Sequence, residues 1–281
     1  MNIGIIGAGN IGAALAMHFG KLNHTVKIAN SRGPSTLGEV ARKTGAHPVD
    51  ILEAGKDIDL VVITIPMKAI GALPQKLWEQ LPQQIPIIDT CNYYPLRDGK
   101  IKEIEDGMIE SEWVSGQVGR PVIKVFNSIM TESLIRKGLP RSAKNRVALP
   151  VAGDDRVAKQ TVLELVDAMG FDAVDAGTLS QSWRQQPGTP AYCSDPNKAE
   201  LQALLGRADR NKAPVNRDLG ARILAKIPVD FPREDLVRFS RLFAGMDIFK
   251  LQNYLAAFHV GLAISLTNLK RLLVTEPHST N

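Results

Sequence analysis

The stretch that most restricts the fold comes first. Residues 2–6, "NIGII", are an apolar run the length of one buried strand, and they stop at "GAGNIG", residues 7–12. The spacing is G-x-G-x-x-G, and helical periodicity follows at once, with Ile11, Leu15, Phe19 and Leu22 on one side. Such a glycine pattern is weak alone and strong between a strand and a helix, where each glycine has its own reason. Gly7 permits a tight turn, Gly9 leaves no Cβ between the backbone and a pyrophosphate, and Gly12 lets the helix lie close to the strand. Ala8, Asn10 and Ile11 complete the loop. N–H groups at the positive end of a helix dipole then face the phosphates. The motif predicts a βαβ unit that holds a dinucleotide.

The same rhythm continues. Strands are expected at 25–29, 59–66, 85–90, 122–129, 146–153 and 171–177. Helices are expected at 35–45, with Ser35 as N-cap and Gly45 at the C-terminal end, at 67–81 with a break at Pro74, and at 155–170. Strands alternating with helices imply a parallel sheet covered on both faces. The fold class is therefore α/β, a doubly wound parallel sheet (the Rossmann NAD(P)-binding fold) over residues 1–180, with a C-terminal helical segment over 181–281. From about residue 197 the pattern is helical, broken at Pro214, Pro228 and Pro232, and residues 275–281 read as a frayed tail.

In such sheets the ligand lies beyond the carboxyl ends of the strands. An NAD site carries an acid at the end of the second strand, for the ribose 2′-hydroxyl. Here that place holds Asn30, Ser31 and Arg32. A hydroxyl, an amide and a guanidinium suit a 2′-phosphate, so the expected cofactor is NADP. Thr64, Ile65 and Pro66 end the central strand on the same edge and are expected to touch the cofactor. Asn127 is expected to hydrogen-bond the nicotinamide carboxamide or the substrate. The loop "SWRQQPGTPAYC", 182–193, is expected to close over the nicotinamide, with Trp183 stacking and Arg184 holding an anion. The residues offer no clear catalytic acid or base.

Net charge is +5, and the basic residues are dispersed rather than gathered in a stripe, so a small-molecule substrate is expected and a nucleic acid is not. The most apolar late stretch, 254–269, contains His259, Ser265, Thr267 and Asn268, so a buried helix with a core histidine is expected and a membrane span is not. Cys91 and Cys193 are far apart and match no metal-ligand spacing; two free thiols and a cytoplasmic location are expected, with no metal. Residues 254–266 are apolar on nearly every side, so a single resting face cannot bury them. A homodimer through the C-terminal helices is expected, with Gly261 and Ala263 allowing close approach.

"IGIIGAGNIGAALA" with "NSRGP", "TIP" and "IKVFNSI" resembles the family of NADP oxidoreductases named for coenzyme F420, a deazaflavin, over roughly residues 1–190. The resemblance implies NADP contacts at Gly7, Gly9, Asn10, Ile11, Gly12, Ser31, Arg32 and Pro66, with the "KVFN" strand flanking the nicotinamide. It implies hydride transfer between NADPH and a small, flavin-like or deazaflavin-like acceptor. Two features depart from the pattern. The helical C-terminus is longer than expected, and "DTCNYYPLRDG" resembles a broader branch of dinucleotide-binding proteins. An imine reductase of the pyrroline-carboxylate reductase type and a non-catalytic NADPH sensor stand as alternatives. A proton-donating site beside the nicotinamide would favour the first, a blocked nicotinamide face the second.

Overall fold

Apolar runs that stop at glycine, proline or polar residues become strands, and the periodic stretches between them become helices. The computed structural model describes residues 1–274, with side chains through residue 268; the expected tail at 275–281 lies outside them. Six parallel strands, β1 (Asn2–Ile6), β2 (Thr25–Ala29), β3 (His47–Pro48), β4 (Leu60–Ile63), β5 (Ile87–Asp89) and β6 (Ile123–Lys124), form a sheet in the order β3-β2-β1-β4-β5-β6. A second pair, β7 (Ala148–Val151) and β8 (Asp172–Asp175), is also parallel. The helices of this part are α1 (Asn10–Lys21), α2 (Gly38–Thr44), α3 (Gln75–Glu79), α4 (Pro95–Asp98), α5 (Lys102–Glu105), α6 (Glu110–Val118), α7 (Thr131–Arg136) and α8 (Arg156–Ala168). Beyond them lie α9 (Lys198–Gly206), α10 (Ala213–Leu224), α11 (Arg233–Phe243) and α12 (Leu251–Val274).

Alternation along the strands feeds two cores. Ile3, Ile5 and Val62 join Leu15, Phe19 and Val162 on one face. Ile6, Val61 and Ile63 join Leu77, Trp78 and Val114 on the other. A strand buried on both faces reads as a continuous apolar run, as "LVVI" in β4 does.

Register places the site. Ile6 stands level with Ala29 and with Ile63, and Ile63 with Asp89. Ladder hydrogen bonds carry one residue further: Gly7 N donates to Ala29 O (2.8 Å), Thr64 N to Ile6 O (2.8 Å) and Thr90 N to Ile63 O (3.1 Å). The ends of the strands therefore form one edge. The strand order reverses between β1 and β4, where such sheets bind ligands.

The structure corrects several expectations. The stretch 122–129 pairs only over Ile123–Lys124, because Phe126 turns the chain at φ 60°. The runs at 146–153 and 171–177 do not extend the parallel sheet. They form the separate β7–β8 pair, joined to β6 by an antiparallel bridge between Lys124 and Ala152. The expected helix 35–45 begins as a 3-10 turn, Pro34–Leu37, and Ser35 caps nothing. Gly45 does end α2, at φ 76°. His259 lies on an exposed face, its Nδ1 3.1 Å from Asp235 Oδ2, and is no core residue. Among the described residues, no helix is long and apolar enough to cross a membrane.

Candidate functional site

Two cavities open along the strand edge. The smaller, about 440 Å³, is lined by Gly7, Ala8 and Gly9, by Asn30, Ser31 and Arg32, and by Thr64, Ile65 and Pro66. A Cβ at Gly7 would stand 2.2 Å from Thr64 O, and one at Gly12 2.0 Å from Gly7 O, so packing demands both glycines. At Gly9 no described atom lies within 4 Å of that position, and its φ of −75° suits any residue. Neither packing nor conformation requires glycine there; a pyrophosphate against the backbone does. Helix α1 has Gly9 as its N-cap residue and so no side-chain cap, and its first N–H groups are open to a ligand. These residues fit a dinucleotide.

At the adenosine end, Asn30 braces the loop. Its Oδ1 accepts from Arg32 N (2.9 Å), and its Nδ2 donates to Thr36 Oγ1 (2.9 Å). That leaves Ser31 and Arg32 exposed at the rim, the guanidinium in no ion pair among the described residues. Thr36, the far end of this brace, was not singled out from the sequence; "NSRGPST" carries a signal for it only as an ordinary turn threonine.

The larger cavity, about 590 Å³, lies beside the helix start, where Asn10 and Ile11 line it. Strand ends supply Thr90, Asn92, Phe126 and Asn127, and α10 and α11 supply Ile223, Leu224, Leu236 and Phe239. Tyr94 and Tyr192 also line it, with their hydroxyl oxygens 2.7 Å apart. Asn92 Nδ2 donates to Tyr192 Oη (3.3 Å) and to Asn127 O (2.9 Å). Burial raises both phenols above their ordinary range, so they hold their protons at neutral pH.

A buried polar cluster sets these strand ends. Lys124 Nζ lies 3.0 Å from Asp89 Oδ2, both side chains fully buried, and it also donates to Cys91 O. Asp89 accepts from Ser111 Oγ (2.8 Å) and from Cys91 N (2.8 Å). Together they fix the turn that carries Thr90 to Tyr94. Glu110 lies behind it, accepting from Tyr93 N at 3.1 Å, and burial pushes its carboxyl up to about 7.

Asn127 and the loop 182–193 differ from what the sequence suggests. Asn127 lines the larger cavity, but both N–H groups of its amide are spent, on Asn92 Oδ1 (3.1 Å) and Gln185 O (2.8 Å). Its side chain holds the strand end in place. Trp183 and Arg184 line neither of these cavities; they sit on a 3-10 turn, Leu179–Gln185, where Arg184 turns back toward Ala176 O (3.5 Å). The same loop reaches the cavity through Pro187, Gly188, Tyr192 and Cys193. The tyrosines were legible as residue types in "NYY" and "PAYC", but nothing in their spacing joins positions 98 residues apart. Among the described residues, no three His, Cys, Asp or Glu side chains gather as a metal site.

Residues 2–93 match the family described as NADP oxidoreductase, coenzyme F420-dependent. Over 57 residues the chain is 49% identical to the protein YjhV of Escherichia coli (strain K12), a match covering 20% of this chain and 42% of that one. The chain thus meets less than half the length of this curated relative. Among solved structures, the hypothetical protein SMa0349 of Sinorhizobium meliloti is 30% identical, with a TM-score of 0.61, over 70% of this chain and 96% of that one. A protein of Arthrobacter sp. FB24 carrying the name of an F420-dependent NADP-reductase is 20% identical, with a TM-score of 0.55, over 65% and 87%. The glycerol-3-phosphate dehydrogenase of Coxiella burnetii is 14% identical, with a TM-score of 0.50, over 100% and 90%. The last two are likenesses of fold.

Proposed function

The chain belongs to the family of coenzyme F420-dependent NADP oxidoreductases, and we propose that it passes a hydride between NADP(H) and a small acceptor. The dinucleotide lies along the strand edge. Ser31 and Arg32 hold the 2′-phosphate, Gly7 to Gly9 and the start of α1 hold the pyrophosphate, and Thr64 to Pro66 line the adjoining wall. NADPH, when bound, supplies the hydride. The chain's own work is alignment: the level strand ends would set where the nicotinamide meets the larger cavity, whose wall α10 and α11 complete with apolar side chains.

The observation that carries this proposal is the placement of the two cavities. One contains the cation and the glycine loop, the other begins at the next two residues of the same loop. A sensor needs only the first. The second, about 590 Å³, is of a size typical for a small-molecule site and speaks for an enzyme.

Calorimetry with NADPH and NADH tests the cofactor. A charge-assisted hydrogen bond is worth about 1.5–3 kcal/mol, so Arg32→Asp is expected to weaken NADPH roughly ten- to a hundredfold while sparing NADH. Equal affinities for the two cofactors in the unmutated protein would refute the assignment.

A further inference from the structure

Tyr94 and Tyr192 place two hydroxyls 2.7 Å apart in the wall of the larger cavity. Two hydroxyls carry two protons, and one proton serves the bond between them. Among the described residues, the pair donates to no other protein oxygen. Tyr192 Oη already accepts from Asn92 Nδ2. With Tyr94 donating as well, both its lone pairs are filled, and its own O–H is left for the adjacent Cys193 sulfur, a weak acceptor, or for a stronger acceptor on a ligand. Asn92 is itself locked, since Asn127 Nδ2 donates to its Oδ1 and Arg97 Nη2 to its carbonyl. The donor is thus built in before any ligand arrives, at the end of the cavity where the strand ends lie.

We propose that Tyr192 is a proton donor, resupplied by Tyr94, and that the hydride acceptor is a carbonyl compound, a ketone or an aldehyde with apolar substituents. This rests on the larger cavity being the acceptor's side of an NADPH site. The carbonyl carbon gains the hydride, and the C=O π pair moves onto oxygen. That oxygen takes the Tyr192 proton and becomes the alcohol. Tyr192 is reprotonated by Tyr94, whose ring lies under the half-exposed guanidinium of Arg97, 5.4 Å from the ring centroid, at the solvent side. Solvent replaces the Tyr94 proton, and atoms and electrons balance.

The chemistry of the alternatives favours a carbonyl. A donor beside the nicotinamide also suits an imine, but an imine can enter already protonated, so only a carbonyl depends on that donor. A reduced carbonyl leaves an alkoxide, a base strong enough to take a proton from a phenol that otherwise keeps it. The rest of the lining, Ile223, Leu224, Leu236 and Phe239 from α10 and α11, suits apolar substituents.

Three measurements decide the matter. NADP⁺ and NADPH binding are followed by calorimetry in the unmutated protein, Tyr192→Phe and Tyr94→Phe. Binding of 2-pyrrolidone, an unreactive carbonyl compound, to the NADP⁺-loaded forms is followed in the same way. NADPH oxidation is assayed with a panel of ketones and aldehydes and with 5-deazariboflavin. Cofactor affinity is expected to be unchanged in both variants, and the lactam to bind about tenfold more weakly to Tyr192→Phe. Carbonyl turnover is expected to fall about a hundredfold or more in Tyr192→Phe and less in Tyr94→Phe. Failure to bind NADPH overturns the parent reading and this one with it. With NADPH bound, the proposal alone is overturned by deazaflavin reduction that Tyr192→Phe leaves intact. Lactam affinity equal in the unmutated protein and Tyr192→Phe also overturns it, whether or not a carbonyl in the panel is reduced.

Discussion

Glu110 is a buried carboxyl held far out of its ordinary state. It is almost fully buried, and the charges that face it are Lys124 and Arg217, which favour its ionised form, and Asp89, which opposes it. Burial outweighs them and raises its carboxyl from 4.5 to about 7. Below pH 4.5 the folded and unfolded chains both hold this proton. Between 4.5 and 7 the unfolded chain releases it while the folded chain keeps it, so this residue's contribution to stability falls as pH rises through that window. Above 7 the loss is complete, on the order of 3 kcal/mol. Glu110→Gln keeps an oxygen for the Tyr93 N–H and removes the titration. Urea midpoints at pH 5 and pH 8 are the check. The variant is expected to gain on the unmutated protein between those two values, and a difference independent of pH would mean that Glu110 is ionised in the fold. The fully buried Lys124–Asp89 pair beside it gives no sequence signal either. Lysine and aspartate on two strands read as exposed positions, and only the pairing of β5 with β6 brings them together to satisfy each other.

At the scale of elements, the β1–turn–α1 unit separates two roles that one motif runs together. Gly12→Ala would press a methyl group 2.0 Å from Gly7 O and is expected to destabilise the chain, read as a lowered thermal midpoint. At Gly9 a Cβ meets no described atom within 4 Å, so in Gly9→Val the fold is expected to persist with unchanged midpoint while NADPH affinity falls at least about a hundredfold by calorimetry. Native affinity in Gly9→Val would put the ligand elsewhere. This unit, with β2 and β4, was legible in the sequence because its signals are local: apolar runs, glycine spacing, a missing acid. The edge of the sheet was less so. β6 stops at Lys124 because Phe126 adopts φ 60°, and β7 runs antiparallel to β6 through the Lys124–Ala152 bridge; neither is written in a strand propensity. The cavity wall was hidden for the same reason. Arg217 of α10 stacks on the Tyr93 ring at 4.9 Å and reaches Glu105 at 3.4 Å, contacts between segments more than 100 residues apart. Such pairings exist only once the tertiary fold does, which is also why the sequence singles out Trp183 in the loop 182–193 and not Tyr192.

At the scale of the whole molecule, the C-terminal helices leave one face uncovered. Helix α12 packs on α11, with Asn253, Ala256, Val260 and Ala263 buried. The stripe Leu251, Leu255, Phe258, Leu262 and Leu266 stays exposed, Phe258 by 67%, and Phe249 beside it by 95%. The steps along the stripe are those of a helix–helix seam, and residues 251–268 contain no Asp, Glu, Lys or Arg. A continuous apolar patch of this kind marks an interface, and a stripe without charge is complementary to itself. We propose that a second copy covers it across a two-fold axis. Ala263, expected at that contact, is buried in its own chain; Gly261 is exposed and remains available for close approach. Among the described residues, nothing in the same chain buries this stripe. Light scattering at micromolar concentration is expected to give twice the mass of one chain, little changed by salt because no ion pair spans the stripe. Leu262 is 48% exposed, so Leu262→Arg is expected to leave a folded monomer with nearly the unmutated protein's cofactor affinity. A single-chain mass for the unmutated protein would remove the dimer, and a Leu262→Arg chain that unfolds instead of separating would mean that α12 is buried against its own chain.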